Sequence, residues 1–307
     1  MNKIERLRAT LAGQPVDYPP ITIWYHFGNQ HASAEVAAQV HLDFFAHYDL
    51  DLLKVMNDYD YPNPVGLDVV ATPDHLKRLE PFDVTKTPLG TQLQAIERIA
   101  KAIKGKALFV DTMFNAWNTL RRNLSKEATE PLMAKHPDAV LKALEVINGN
   151  LIKYALATLE RGAAGIFLSV PASAELVTRE QYERFMRPFD LALLNAIKGK
   201  GEFHILHAHG SQLFLDRLLD YPVHVLSWAD LNGGPSLAET RQRSSFVLMG
   251  GMDHVKFPYM SAAFLRAQVK AAKAQAGPTK FILAPGCSVA TYSFPPLIHA
   301  VRDAARG

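Results

Sequence analysis

Cysteine is nearly missing from this chain: 307 residues contain one, Cys287. A single thiol cannot build an internal disulfide framework, which fits a reducing compartment. Strong charge of either sign is also missing. The net charge is +3 and no dense Lys/Arg run occurs, which excludes the concentrated basic face that nucleic-acid binding requires. No apolar run approaches the roughly 18 residues of a membrane span. The opening, MNKIERLRATLAG, is charged and amphipathic and has no signal-peptide core. These absences lead to the expectation of a soluble, cytoplasmic protein that acts on a small molecule.

Eight short apolar runs are present. They are ITIWY (21–25), LLKVM (52–56), ALFVD (107–111), GIFLS (165–169), FHILH (203–207), HVLSW (224–228), FVLMG (246–250) and FILA (281–284). Most are continuously apolar, as strands covered on both faces tend to be. Helical stretches separate them. Residues 138–160 place Leu141, Leu144, Ile147, Leu151, Tyr154 and Leu159 on roughly one face. Thr178 with Gln181 and Ser236 with Glu239 have capping-box spacing. Ser261 opens a helix that Gly277-Pro278 closes, and Ser211 is expected to cap a short helix after HAHG. This alternation, with no linker or low-complexity segment, predicts one (β/α)8 TIM barrel over residues 1–307. The rival is an open doubly wound sheet, which normally carries a Gly-rich phosphate turn after its first strand. WYHFGNQH has no GxGxxG.

Active sites of such barrels lie at the carboxyl ends of the strands. The residues there are His26; Asn57 and Asp58; Asp111; Glu175; His207 and His209; Asp230; Asp253 and His254; and Cys287. Each has a plain alternative. Asp111, Asp230 and Asp253 suit helix caps, Glu175 a solvated loop, and a lone Cys a small buried hydrophobe. His207 and His209 share a face by the two-residue period of a strand, while His204 points the other way. A His-x-His pair with a Cys across the barrel mouth supplies two imidazoles and a thiolate, a three-ligand zinc set with one position open.

HAHG, SWAD, GGMDH and LAPGCSVATYSFPPLIHAVRDA, together with the opening RATLAGQPVDYPPITIW, resemble the uroporphyrinogen decarboxylase superfamily over about residues 5–305. The resemblance implies the (β/α)8 barrel and offers two chemistries. Corrinoid-linked methyltransferases move a methyl group between a methylcobamide and a thiol, which a zinc held by His-x-Cys and a distant Cys activates. His207 matches the histidine, His209 the first cysteine and Cys287 the last. An imidazole thus stands where that branch has a thiolate. The decarboxylases remove carboxylates without metal, using an arginine-rich segment after the first strand. WYHFGNQH has no arginine, but Asp58 stands where that branch has its catalytic aspartate.

The leading expectation is a zinc-dependent methyltransferase with His207, His209, Cys287 and Glu175 as metal candidates. Asp58, His26 and Asp111 shape its pocket. Asn57, Asp230 and Tyr292 are the cofactor-binding candidates, Asp230 also as an orienting partner for the histidines. A corrinoid would come free or on a separate protein. The alternatives are a metal-free carboxy-lyase centred on Asp58 and a barrel that binds a corrinoid or tetrapyrrole without turnover. Homodimerisation is a further expectation from the resemblance.

Overall fold

The structure, a computed structural model, describes residues 1–307. Seven parallel strands follow one another in sequence order: β1 (Leu52–Val55), β2 (Leu108–Phe114), β3 (Gly165–Val170), β4 (Ile205–Ala208), β5 (Val225–Trp228), β6 (Val247–Met252) and β7 (Phe281–Pro285). Every crossover carries at least one helical segment, as parallel pairing demands.

The first of the eight expected runs is not a strand. It makes one isolated parallel bridge, Ile21 to Leu283. Thr22 N–H donates to Leu283 O and Leu283 N–H to Pro20 O, at 3.1 and 2.9 Å. On its other side Asp51 and Leu52 donate to Ile21 O. The segment therefore bonds to both edges of the curled sheet, but over too few residues to form a ladder. Pro19 and Pro20, which lack N–H donors, stand directly before it.

Strand parity sets the two faces. A cluster of buried apolar residues takes Leu52, Val110, Phe167, Ile205, Val225, Val247 and Ile282 from the seven strands, and adds Trp24 and Met56. This is the inner face. A larger cluster joins the alternate strand residues to the helices. By the same parity Lys54, Thr112, Ser169, His207 and Ser227 point inward, so the interior turns polar toward the carboxyl ends.

The helix expected over 138–160 is Pro137–Glu160, with Leu144, Ile147, Leu151 and Tyr154 buried. Leu141 and Leu159 are only partly covered. Capping boxes form at Thr178/Gln181 and Ser236/Glu239. Ser261 caps Ala262–Ala276, which ends at Gly277 with φ 82°. Ser211 caps nothing. Its N–H and hydroxyl both donate to Glu175 Oε2, at 2.8 and 2.7 Å, and only a 3-10 turn, Leu215–Arg217, follows. No helix is long and apolar enough to cross a membrane.

Candidate metal centre

Two loops carry the centre. After β4 the chain turns at Gly210, φ +102°, where an added Cβ would lie 2.6 Å from Ser173 Oγ. After β7 it passes Gly286, where a Cβ would lie 2.6 Å from Ala229 Cα. Both glycines permit an approach that no side chain would allow. The result is that ligand atoms of His207, His209 and Cys287 all lie within 4.8 Å of one another. Cys287 Sγ is 4.0 Å from His209 Nδ1.

His207 is buried, and its Nδ1 sits 3.2 Å from Ser227 Oγ. Its Nε2 is buried with no hydrogen-bond partner. An orphaned buried nitrogen is costly unless something binds it. With Nδ1–H donating to Ser227, the Nε2 lone pair is free to ligate, the usual way an outer partner fixes the tautomer of a metal-bound imidazole. Phe167 stacks on this ring at 5.2 Å.

The charges agree. Burial holds His207 below the ordinary imidazole range. Hydrogen bonding to Cys287 raises His209 and outweighs its burial. Burial alone would push the Cys287 thiol up, but the two neighbouring imidazoles hold it well below the ordinary thiol value. A thiolate and two imidazoles suit zinc, which binds such ligands tetrahedrally with ligand atoms roughly 3.5 Å apart. The three donors lie within 4.8 Å of one another and one of them is a buried nitrogen without a partner, so the donor set fits the metal.

The three groups line a cavity of about 320 Å³ together with Trp24, Lys54 and Phe167. A smaller one of about 100 Å³ adjoins it through His26, Phe114 and Arg122 and contains Asn57, Asp58 and Tyr154. Asp58 Oδ1 accepts from His26 Nδ1 at 2.8 Å and Oδ2 from Gly28 N–H at 3.0 Å. Burial raises the Asp58 carboxyl, but the His26 bond and these backbone donors outweigh it and keep it ionised.

The other expected residues lie outside the cluster. Glu175 is exposed and its carboxylate is engaged by Ser211. Asp111 lines neither cavity: it stands one residue from inward-facing Thr112, so it points outward to the helices. There it accepts from Tyr154 OH at 2.6 Å and Gln92 Nε2 at 2.9 Å. Burial pushes it up to about 6. It reaches the smaller cavity only through Tyr154, to which Asn57 Nδ2 donates at 3.2 Å. Asp230 is buried and accepts from Gly251 N–H. Tyr292 is exposed and meets only Tyr259 OH, at 2.9 Å. Asp253 caps the turn after β6, accepting from Val255 and Lys256 N–H. His204 points away from the cavity, as expected, accepting from Ile166 N–H.

Three cations that line the cavity escaped the sequence reading: Lys54, Arg121 and Arg122. Lys54 had a signal, the lone charge inside an apolar strand. Burial pushes its ammonium down to about 7. The arginines sit on a π-helical segment, Leu120–Ser125, a form that sequence periodicity does not reveal and that recurs at functional sites.

The profile of the family described as uroporphyrinogen decarboxylase (URO-D) matches residues 2–307. No curated protein matches the sequence. Among solved structures, a methyltransferase from Methanosarcina mazei superposes with a TM-score of 0.79 at 20% identity, covering 99% of this chain and 98% of its own. A protein from Listeria monocytogenes, provisionally described as a vitamin-B12 independent methionine synthase, gives 0.59 at 13% identity, covering 88% and 86%. A B12-independent methionine synthase from Shewanella sp. W3-18-1, in complex with selenomethionine, gives 0.52 at 12%, covering 69% and 65%. At these identities the likeness is one of fold.

Proposed function

This chain belongs to the uroporphyrinogen decarboxylase (URO-D) family, and from that premise we propose that it is a zinc-dependent methyltransferase that moves a methyl group between a corrinoid and a thiol or similar acceptor. The observation that carries the reading is the convergence of His207, His209 and Cys287 around one orphaned buried nitrogen. The methyltransferase fold of the M. mazei neighbour supports it. We further read residues 1–307 as one barrel domain, with segment 20–25 as its shortest stave, and the corrinoid as arriving free or on a separate protein.

His207 Nε2, a nitrogen of His209 and Cys287 Sγ would hold the zinc, leaving a position for the acceptor. When bound, the metal supplies Lewis acidity that lowers the pKa of a thiol on it. The side chains do the rest. Ser227 fixes the His207 ring. Phe167 covers one face of that ring and keeps water from it. Asp58 accepts a hydrogen bond from His26 Nδ1–H, which would leave Nε2 as the base for the thiol proton at the cavity edge. His209 in place of a thiolate makes the set less negative, which strengthens the pull on a bound thiol's proton and weakens its nucleophilicity.

A metal-free lyase on uroporphyrinogen has less support. Asp58 is fully engaged by His26 and backbone N–H groups, in a cavity of about 100 Å³. Zinc measured per chain by elemental analysis tests the proposal. About one equivalent is expected in the parent and almost none after Cys287→Ser, with demethylation of methylcobalamin by a thiol lost in parallel. A native protein free of zinc that cannot take it up would remove the proposal.

A further inference from the structure

Lys54 has no part in the chemistry above, yet it lines the cavity of about 320 Å³. It is 2% exposed, in β1, and no carboxylate pairs with it. A lysine is almost never fully buried without such a partner, because a charge removed from water needs a counter-charge. The bonds it makes are those of a neutral amine. Its Nζ donates to Thr112 Oγ1 at 2.7 Å and lies 3.2 Å from Met56 Sδ. The Thr112 hydroxyl gives its own proton to Val55 O, at 2.7 Å, so toward Lys54 it can only accept. Two uncharged acceptors thus match the two N–H bonds of an amine, whereas an ammonium carries three. What remains without a partner is the lone pair, on an atom that borders the cavity. Burial agrees, since it holds the ammonium down at about 7.

We propose that Lys54 is a nucleophile that forms a reversible imine with a small aldehyde or ketone in this cavity. A lysine set among apolar groups is a standard activated amine. Its lone pair attacks the carbonyl carbon, a C–N bond forms and the C=O π pair moves to oxygen. A proton passes from nitrogen to that oxygen and gives a carbinolamine. The nitrogen lone pair then expels the hydroxyl, which leaves with a proton as water, and C=N forms. One water is released and nothing is oxidised or reduced. The rings of Trp24 and Phe167 stand 4.8 and 4.3 Å from Nζ, where their faces stabilise the positive charge of a protonated imine. Cavities for small molecules span roughly 300–1,000 Å³, so this one, at the small end, suits a carbonyl compound of a few carbons. The activity is separate from methyl transfer: neither Lys54 nor its two acceptors belongs to the metal ligands.

Trapping the imine tests this. Parent protein, chelator-treated protein and Cys287→Ser are incubated with propanal and cyanoborohydride at pH 7, and propylated lysines are located by peptide mass mapping. An ordinary lysine is free amine in only roughly one molecule in 2,500 at that pH. Lys54 is therefore expected to label about tenfold or more faster than the exposed Lys142 and Lys198, in all three samples. Raising the pH to 9 should shrink that advantage. Lys54→Arg and Lys54→Met should remove the label and leave that on the exposed lysines, with thermal unfolding confirming that both variants fold. Labelling of Lys54 no faster than of the exposed lysines overturns the proposal. Labelling lost in Cys287→Ser or after chelation overturns it too, by making the thiol or the metal the agent that activates the carbonyl. A protein that binds no zinc and still labels at Lys54 removes the methyltransferase reading and leaves this one standing.

Discussion

The protein buries two polar clusters and treats them in opposite ways. Behind β2, Asp190 accepts from Asn115 Nδ2 at 2.9 Å and from Tyr221 OH at 3.2 Å. Tyr221 also bonds Tyr182, and Asn115 Oδ1 caps the next turn through Asn118 N–H. Every side-chain polar atom there has a partner. At the carboxyl ends of the strands His207 Nε2 has none and no carboxylate pairs with Lys54. Burial is equal in the two places; satisfaction is not. A fully paired cluster holds a fold together, whereas an unpaired one is an unfinished set of bonds, and what completes it comes from outside.

The largest effect that sharpens this contrast is on metal. Cys287→Ser should reduce zinc affinity by more than the roughly 10–100-fold that loss of an outer-sphere partner costs, measured by chelator competition, while the apo protein unfolds as the parent does. Next comes the paired cluster. Asp190→Ala leaves Asn115 and Tyr221 without their acceptor and should cost about 2–4 kcal/mol in urea unfolding, with zinc content unchanged. Ser227→Ala should weaken zinc by about tenfold, through freedom of the His207 ring. Lys54→Met replaces a buried amine that no carboxylate pairs by a side chain of similar volume and should leave stability unchanged or raise it by about 1 kcal/mol. A loss of stability there as large as at Asp190 would break the comparison.

The last effect is on pH. Burial raises the Asp190 carboxyl from 3.8 to about 7 in the folded chain. Between those values the folded state keeps a proton that the unfolded state has lost, so its contribution to stability falls as pH rises from about 4 to 7. His41 acts oppositely. Burial lowers it from 6.5 to about 4, so its contribution grows as pH rises through that window. Asp190→Asn should therefore make stability between pH 4 and 7 fall less steeply than in the parent, read from denaturant midpoints across the range.

Much of this was legible in the residues. Apolar runs and caps gave the order of strands and helices because those signals are local. The period of a strand put His207 and His209 on one face. Asp111 was misread because its run ends in a strand that continues to Phe114, so parity rather than position decides its face. Glu175 was misread because its partner, Ser211, is distant in sequence. The first run was overcounted because apolar composition says nothing of how many ladder bonds a segment makes. Lys54 was visible in LLKVM and passed over, although a lone charge between buried neighbours is the kind of local inconsistency that marks function.

Phe167 has a consequence for valence. Its ring rests against the imidazole of His207 and against the amine of Lys54. A primary amine that burial has partly stripped of its proton is itself a competent donor to zinc. With zinc held as proposed, the aromatic wall would keep that nitrogen from serving as a fourth, resident ligand and would leave a position for an incoming molecule.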